Sequence, residues 1–508
     1  MASNAQNPSG EPVRSILIVG GGTAGWMTAG VLARCLPAQL YRIGLVETAE
    51  RRGGLAALDA GEATLPPITA VNQLFGLDDA ALLRGADATY SLGSSVTGFA
   101  RPGTSYFRTF GRFGANIQGV AFHNLLERMR RKGMTASLED YSIAAVAARL
   151  GRFAPPAAGD DPLLTAYDHG WHWDAADYRA LLRAAAQHAG VARVAGEVAD
   201  VALRGADGFV EAVVLADGRR LEADLFIDCT PEARLIEGAL GSGWEDWRHL
   251  LPCDRAVAAR CDRAGDPPPY WQAEAQAAGW RWRIPLGESD GCGLVYASGF
   301  CSDDEAEAAL RASLGSGAGT LQRARFASGR RRNMWIRNCV AIGDAACVLD
   351  PLEPTALQIV QDGIGTLLNL MPRKACDAGE TDEFNRLMGE TVERMRDFLI
   401  LRYKANARAE PFWAERRAAA VPDLLEHKMR VFEASGRVLE WDEETFFEAD
   451  WVAVYFGQEM RPRHYDAFAD TIDAKLLRER MAEMRRSILA AAESLPTHRA
   501  FIEAQLRG

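Results

Sequence analysis

Ser15-Ile16-Leu17-Ile18-Val19-Gly20-Gly21-Gly22-Thr23-Ala24-Gly25 is the stretch on which the fold turns. Its apolar start reads as a strand buried on both faces, as in a parallel sheet. Gly20, Gly22 and Gly25 then match Gly-x-Gly-x-x-Gly, and Trp26–Arg34 continues at helical spacing. A second apolar run, Tyr41–Glu47, ends in an acid, so the whole predicts a βαβ unit. In that setting the first glycine permits the tight turn, the second lets backbone approach a pyrophosphate, and the third lets the helix pack. The helix entered through Thr23 and Ala24 offers N–H groups and partial positive charge to phosphates. Glu47 is placed to accept ribose hydroxyls. The plainer alternative is a glycine-rich turn with an incidental acid, but strand and helix on either side favour a nucleotide.

The rest of the chain continues an α/β pattern. Around Glu197–Cys229 three runs alternate, joined at Gly205–Gly208 and by an Asp217-Gly218 hairpin signal. Another buried strand, Cys339–Gly343, leads to Asp344. From about Thr381 helical periodicity dominates. The expected organisation is a disordered lead-in over 1–12 and a nucleotide-binding core over 13–380. Segments near 51–110 and 240–330 interleave with that core to build a substrate region, which a mainly helical part, 381–508, completes.

Composition narrows the function. With 508 residues, 48% hydrophobic and 25% charged, the chain is an ordinary globular one. A formal charge of -11 argues against nucleic acid and against a polybasic membrane contact. No apolar run reaches the length of a membrane span, and the first residues carry no secretory signal. Nine cysteines without a framework spacing fit reduced thiols and a cytoplasmic protein. Eight histidines form no ligand pattern, so no metal site is expected. A monomer and a homo-oligomer are both compatible with the sequence.

Further strings narrow the chemistry. Val340–Ala346, with Gly343-Asp344, resembles the late Gly-Asp motif of FAD enzymes, whose Asp contacts the ribityl chain; a helix N-cap is the bland reading of that residue. Trp280-Arg281-Trp282-Arg283-Ile284-Pro285 matches a Trp-x-Trp-x-Ile-Pro signature. Gly61–Pro66, containing Thr64, and Asp350-Pro351-Leu352-Glu353-Pro354-Thr355 match two more segments. Together they resemble the flavin-dependent tryptophan halogenases, with weaker likeness at Tyr106–Gly111, Phe122-His123, Asp224–Cys229 and Trp451–Gln458. The resemblance implies a Rossmann-like, FAD-monooxygenase-type core. It implies reduced FAD from a separate flavin reductase, and a halide oxidised with oxygen to hypohalous acid that reaches an aromatic substrate kept apart from the flavin. Gly53-Gly54, Gly315–Gly319 and Gly363/Gly365 lack the strand–loop–helix context of a second dinucleotide site, which agrees with an outside reductase.

Carried over by motif, Glu353 is the catalytic glutamate, and Thr355 with Ala356 forms the halide side. Thr64 lies near the flavin, and Trp280, Trp282 and Pro285 belong to the segment that keeps substrate from the cofactor. Phe110 is a pocket wall, or a core phenylalanine. Arg108 stands where relatives carry histidine; it could receive a substrate carboxylate or phosphate, or lie on the surface. The family's lysine falls at Ser91, whose hydroxyl cannot form a haloamine and is a weaker donor than an ammonium group. Glu353 would be the counter-charge of a lysine restored there. The reading is a halogenase or halogenase-like oxidoreductase acting on an electron-rich indole- or phenol-like substrate. The alternatives are a non-halogenating flavin monooxygenase or oxidase, and a degenerate FAD-binding protein.

Overall fold

The computed structural model describes residues 10–48, 54–55, 58, 60–156, 163–263, 265–314, 317 and 319–507. The opening βαβ unit is present. β1 (Ser15–Val19) runs parallel to β2 (Arg42–Glu47), and α1 (Thr23–Cys35) connects them. β1 is buried along nearly its whole length, which is why its sequence does not alternate. The central sheet also holds β3 (Ala192–Ala195), β4 (Leu225–Asp228), β5 (Trp335–Ile336) and β6 (Cys339–Ala341). Its order is β5-β6-β4-β1-β2-β3, and only the β5–β6 pair is antiparallel. α1 packs on α2 (Ala175–His188) and α3 (Ala356–Asn369).

The alternating region divides differently from the sequence reading. Val198–Leu203, Val210–Leu215 and Arg220–Glu222 form a three-stranded antiparallel sheet. The last run then splits at Asp224, whose Oδ2 accepts the backbone N–H groups of Arg14 and Ser15 (2.8 and 3.0 Å). That tie turns the chain into the central sheet as β4.

A seven-stranded sheet draws on both interleaved segments. Its order is 322–325, 255–262, 289–296, 279–285, 271–276, 93–97, 105–109. Only Trp271–Gln276 with Gly93–Thr97 is a parallel pair. Helices dominate from α4 (Ala378–Lys404), which begins at an Asp377 cap, to Arg507. At the N-terminus residues 1–9 lie outside the described residues. Gly10–Pro12, expected as disordered lead-in, are held instead: Pro12 bridges Arg373, and Lys374 N–H donates to the Glu11 carbonyl at 2.9 Å. Gly53, Gly315 and residues 316 and 318 of the glycine clusters lie outside the described residues, while Gly363 and Gly365 are interior to α3. Among the described residues no helix is long and apolar enough to cross a membrane.

Candidate active site

The glycine turn is shaped as its spacing demands. Gly20 N–H donates to Val46 O at 3.0 Å, fixing the end of β1 against β2. At Gly25 an added Cβ would run into the Gly20 carbonyl oxygen, so a side chain there would push α1 off the turn. Gly22 caps α1 without any side-chain acceptor, and a Cβ there would meet nothing within 4 Å. No acid occupies the first turn, which Thr23 and Ala24 open. The N–H groups there therefore await an outside partner, as at a phosphate site.

Glu47 lies beside this turn in a cleft of about 730 Å³ that also holds Trp26 and Arg183. Its carboxylate pairs with Arg183 (3.2 Å) and Arg193 (2.5 Å). Both arginines are more than a third exposed. Such pairs contribute about 0–1 kcal/mol, so a ribose can displace them.

The second nucleotide motif meets the first. Gly343 adopts φ +73°, and a Cβ there would lie 2.8 Å from the Cβ of Ala24. The conformation and the close approach both require glycine. Asp344 follows, lining a cavity of about 610 Å³ with Glu62, Trp280, Trp282, Glu353 and Thr355. Burial raises the Asp344 pKa. Burial also pushes Glu62 up to about 7, against the hydrogen bond from Trp173 Nε1 (3.1 Å) and with the help of the nearby Asp344 charge. The open phosphate turn and the acid at the cavity wall fit FAD, whose pyrophosphate Gly20–Gly25 would hold and whose ribityl chain Asp344 would contact.

The tryptophan strand shows why its residues alternate. Trp280, Trp282 and Ile284 line the cavity from one face of Gly279–Pro285, while Arg281 and Arg283 pair with Glu274 and Asp290 (2.5 Å each). Trp280 Nε1 donates to Asp350 Oδ1 (3.3 Å), and Tyr403 donates to Asp350 Oδ2 (2.8 Å). Burial outweighs these bonds and pushes Asp350 up to about 6. Pro285 ends the strand, and its carbonyl accepts the Thr89 hydroxyl at 2.7 Å. Thr64 does not line the cavity: its hydroxyl and N–H are spent on the backbone of Trp171. The sequence expectation of a cofactor contact there becomes a strand-locking role.

Glu353 gives the largest correction. Its side chain is fully buried and pairs with two arginines, Arg108 and Arg402. Arg108 Nη2 lies 2.5 Å from Glu353 Oε2, a buried ion-pair contact. Arg108 Nη1 donates to Asp450 Oδ1 at 2.8 Å. Far from the surface, Arg108 is 1% exposed, with the rings of Phe110 and Phe446 at 5.4 and 5.7 Å from its guanidinium carbon. With both ends taken, it is not a free receptor for a substrate anion. Ser91 is buried too, and its hydroxyl is engaged with the backbone of Gly93 (3.3 Å). Glu353 is thus not waiting for a lysine at position 91, because two other cations already hold it. Arg402 was missed in the sequence, although a lone charge inside Phe398-Leu399-Ile400-Leu401-Arg402-Tyr403 signals a buried, paired group.

Thr355 and Ala356 stand where α3 opens on the cavity. Thr355 N–H donates to Glu353 O at 2.8 Å, and its hydroxyl makes no cap bond. Ala356 is the first helical residue and has no positive φ, so nothing here demands glycine. On the far side of Glu353 lies another cavity, about 770 Å³, lined by Arg108, Phe110, Tyr167 and Phe446. Glu353 faces the first cavity and Arg108 the second, so their ion pair stands on the boundary.

The comparisons agree with this architecture. The profile of the tryptophan halogenase family matches residues 15–474. The tryptophan 7-halogenase RebH of Lentzea aerocolonigenes is 32% identical over 446 residues, 83% of this chain and 82% of its own. The structure of BrvH, a flavin-dependent halogenase from Brevundimonas sp. BAL3, superposes with a TM-score of 0.92 at 38% identity, covering 97% of this chain and 99% of that one. That of Xcc4156, a flavin-dependent halogenase from Xanthomonas campestris, gives 0.92 at 34%, covering 97% and 98%. A family match over residues 15–474, 32% identity to a curated halogenase over most of both chains and near-complete structural overlap leave one conclusion: the chain belongs to the tryptophan halogenase family and is an FAD-dependent oxidoreductase of the halogenase type.

Proposed function

We propose that the protein halogenates an electron-rich aromatic, indole- or phenol-like, with reduced FAD from a separate reductase, oxygen and halide. The observation that carries this reading is the position of Glu353 on the boundary between two cavities. One cavity has the features of a flavin site, and the other is walled by aromatic rings. Bound reduced FAD supplies, with oxygen, the oxidising equivalents that convert halide to hypohalous acid. The protein's own residues do the rest. The opening of α3, with the Thr355 hydroxyl and the Ala356 N–H, is assigned to the halide. Trp280 and Trp282 wall the flavin side against an aromatic substrate. Glu353 is assigned to hold the proton of hypohalous acid, and Arg108 is the cation that positions its carboxylate. In the substitution the arene C–H becomes C–X, and its proton leaves with the hydroxide of the acid as water.

Mass spectrometry of an aromatic panel incubated with protein, FAD, flavin reductase, NADH and bromide tests the reading. The expected result is a bromine isotope pattern. A product gaining one oxygen and no bromine would replace it with a monooxygenase.

A further inference from the structure

The 770 Å³ cavity has an unusual charge lining. Asp168, Asp362, Glu443 and Asp450 line it, together with Glu444, which Lys428 neutralises in a buried pair. Among the described residues that line it the sole cation is Arg108, pinned between Glu353 and Asp450. The acids form a path inward: Asp168 and Glu443 are exposed, and Asp362 is half-buried. Midway stands Gln358, nine-tenths buried. One helical turn separates it from Asp362 on α3, and its Nε2 donates to Asp362 Oδ1 at 2.8 Å. That bond leaves Gln358 Oε1 as a buried acceptor with no donor. A buried carbonyl without a partner is costly, and Gln358 lines the cavity, which points to a ligand that donates. Burial and the neighbouring Glu443 raise Asp362 to about 6, partly offset by the Gln358 bond. A bound cation would offset the Glu443 charge and favour the ionised carboxylate.

We infer that this cavity selects an aromatic carrying a protonated amine and no carboxylate, with the ammonium group received by Asp362, the Gln358 side-chain carbonyl and Glu443. The inference rests on the proposed function for its aromatic part and on the charge lining for the rest. An ammonium group has three donors and no acceptor, which matches a wall of acceptors. The ring packs toward Phe110 and Phe446, beside Arg108 and the Glu353 boundary. A carboxylate on the substrate would have to displace Glu353 or Asp450 from Arg108, or sit unpaired among acids. A free amino acid is therefore disfavoured relative to its decarboxylated amine.

Calorimetry on the FAD-loaded protein with tryptamine, indole and indole-3-propionate tests charge selection without turnover. Tryptamine should bind about tenfold or more tighter than indole, since hydrogen bonds to a charged group are the strong ones. Indole-3-propionate, matched in length, should bind more weakly than indole. Asp362→Asn should bring tryptamine down toward indole, and Glu443→Gln, at the exposed mouth, should do so by a smaller factor. Propionate binding as tightly as the amine, a preference untouched by Asp362→Asn, or no binding of tryptamine would each overturn the inference. Bromination is read separately: charge selection with no brominated product would sink the proposed function and leave the selection standing. Brominated indole without charge selection would do the reverse.

Discussion

The two cavities on either side of Glu353 are built in opposite ways. The flavin-side cavity is made by short, local devices: a glycine turn, a Gly-Asp corner, and a strand whose alternate residues are tryptophans. Each works through backbone shape, and each needs only its near neighbours. The substrate-side cavity is made by side chains from distant parts of the chain, with Arg108 linking Glu353 to Asp450. Backbone devices tolerate little change, whereas a network of charges can be rewired residue by residue. Arg108 and Arg402 form such a network, since cations from two other segments hold the glutamate.

The contrast can be broken most forcefully at its meeting point. Glu353→Gln should lower bromination by about 10²-fold or more, since it removes the proton-holding carboxylate. It also strips the buried Arg402 of its anion and leaves Arg108 with Asp450 alone, and losing one partner of a buried pair costs about 3–5 kcal/mol. Urea unfolding should show that loss directly, and unchanged stability would mean the arginines have other anchors. Next in size, Gly22→Val should weaken FAD binding about 10–100-fold, or roughly 1.4–2.8 kcal/mol, while the melting temperature of the FAD-free protein stays near that of the parent. An added Cβ there meets no protein atom, so folding and binding should separate. Flavin-fluorescence titration with thermal melts decides it; a folded variant with full FAD affinity would remove Gly22 from the phosphate site.

Ser91→Lys sharpens the other side. Position 91 is buried, and Glu353 is already doubly paired, so the variant should lose about 1–3 kcal/mol of stability by overpacking and gain no bromination. Rising product yield would show that the carboxylate can still serve a third cation. The smallest effect concerns pH. Glu62 has a folded pKa near 7 against an ordinary 4.5, so the folded FAD-free protein keeps its proton where the unfolded chain releases it. Its contribution is complete below pH 4.5 and is lost as pH rises toward 7. Glu62→Gln should flatten the fall of melting temperature between pH 5 and 7, and an unchanged slope would place the titration elsewhere.

The same contrast explains what the sequence revealed. The βαβ unit, the Gly-Asp corner and the tryptophan strand were legible because their information lies within a few residues. The split of 220–228 into two sheets was not, because it depends on the carboxylate of Asp224 reaching the amides of Arg14 and Ser15. Arg108 stood in a recognised segment, yet its partners lie at positions 353 and 450, which no local pattern announces. Thr64 misled for a related reason: its motif neighbours the cavity, but its hydroxyl faces the backbone of Trp171. Gln358 and Asp362 had the right helical spacing throughout, but only the cavity gives that spacing a purpose.

α3 touches both cavities, with Thr355 and Ala356 at one end and Gln358, Asp362 and Thr366 along its flank. At 1.5 Å per residue, Ala356 and Asp362 stand about 9 Å apart along a rigid rod. The helix therefore acts as a ruler between the proposed place of oxidant formation and the proposed place where substrate is gripped. Exchanging residues on its flank would alter which molecule is held without moving the graduation marks. New specificities could accumulate along one side of a single helix while the reach required of the oxidant stays constant.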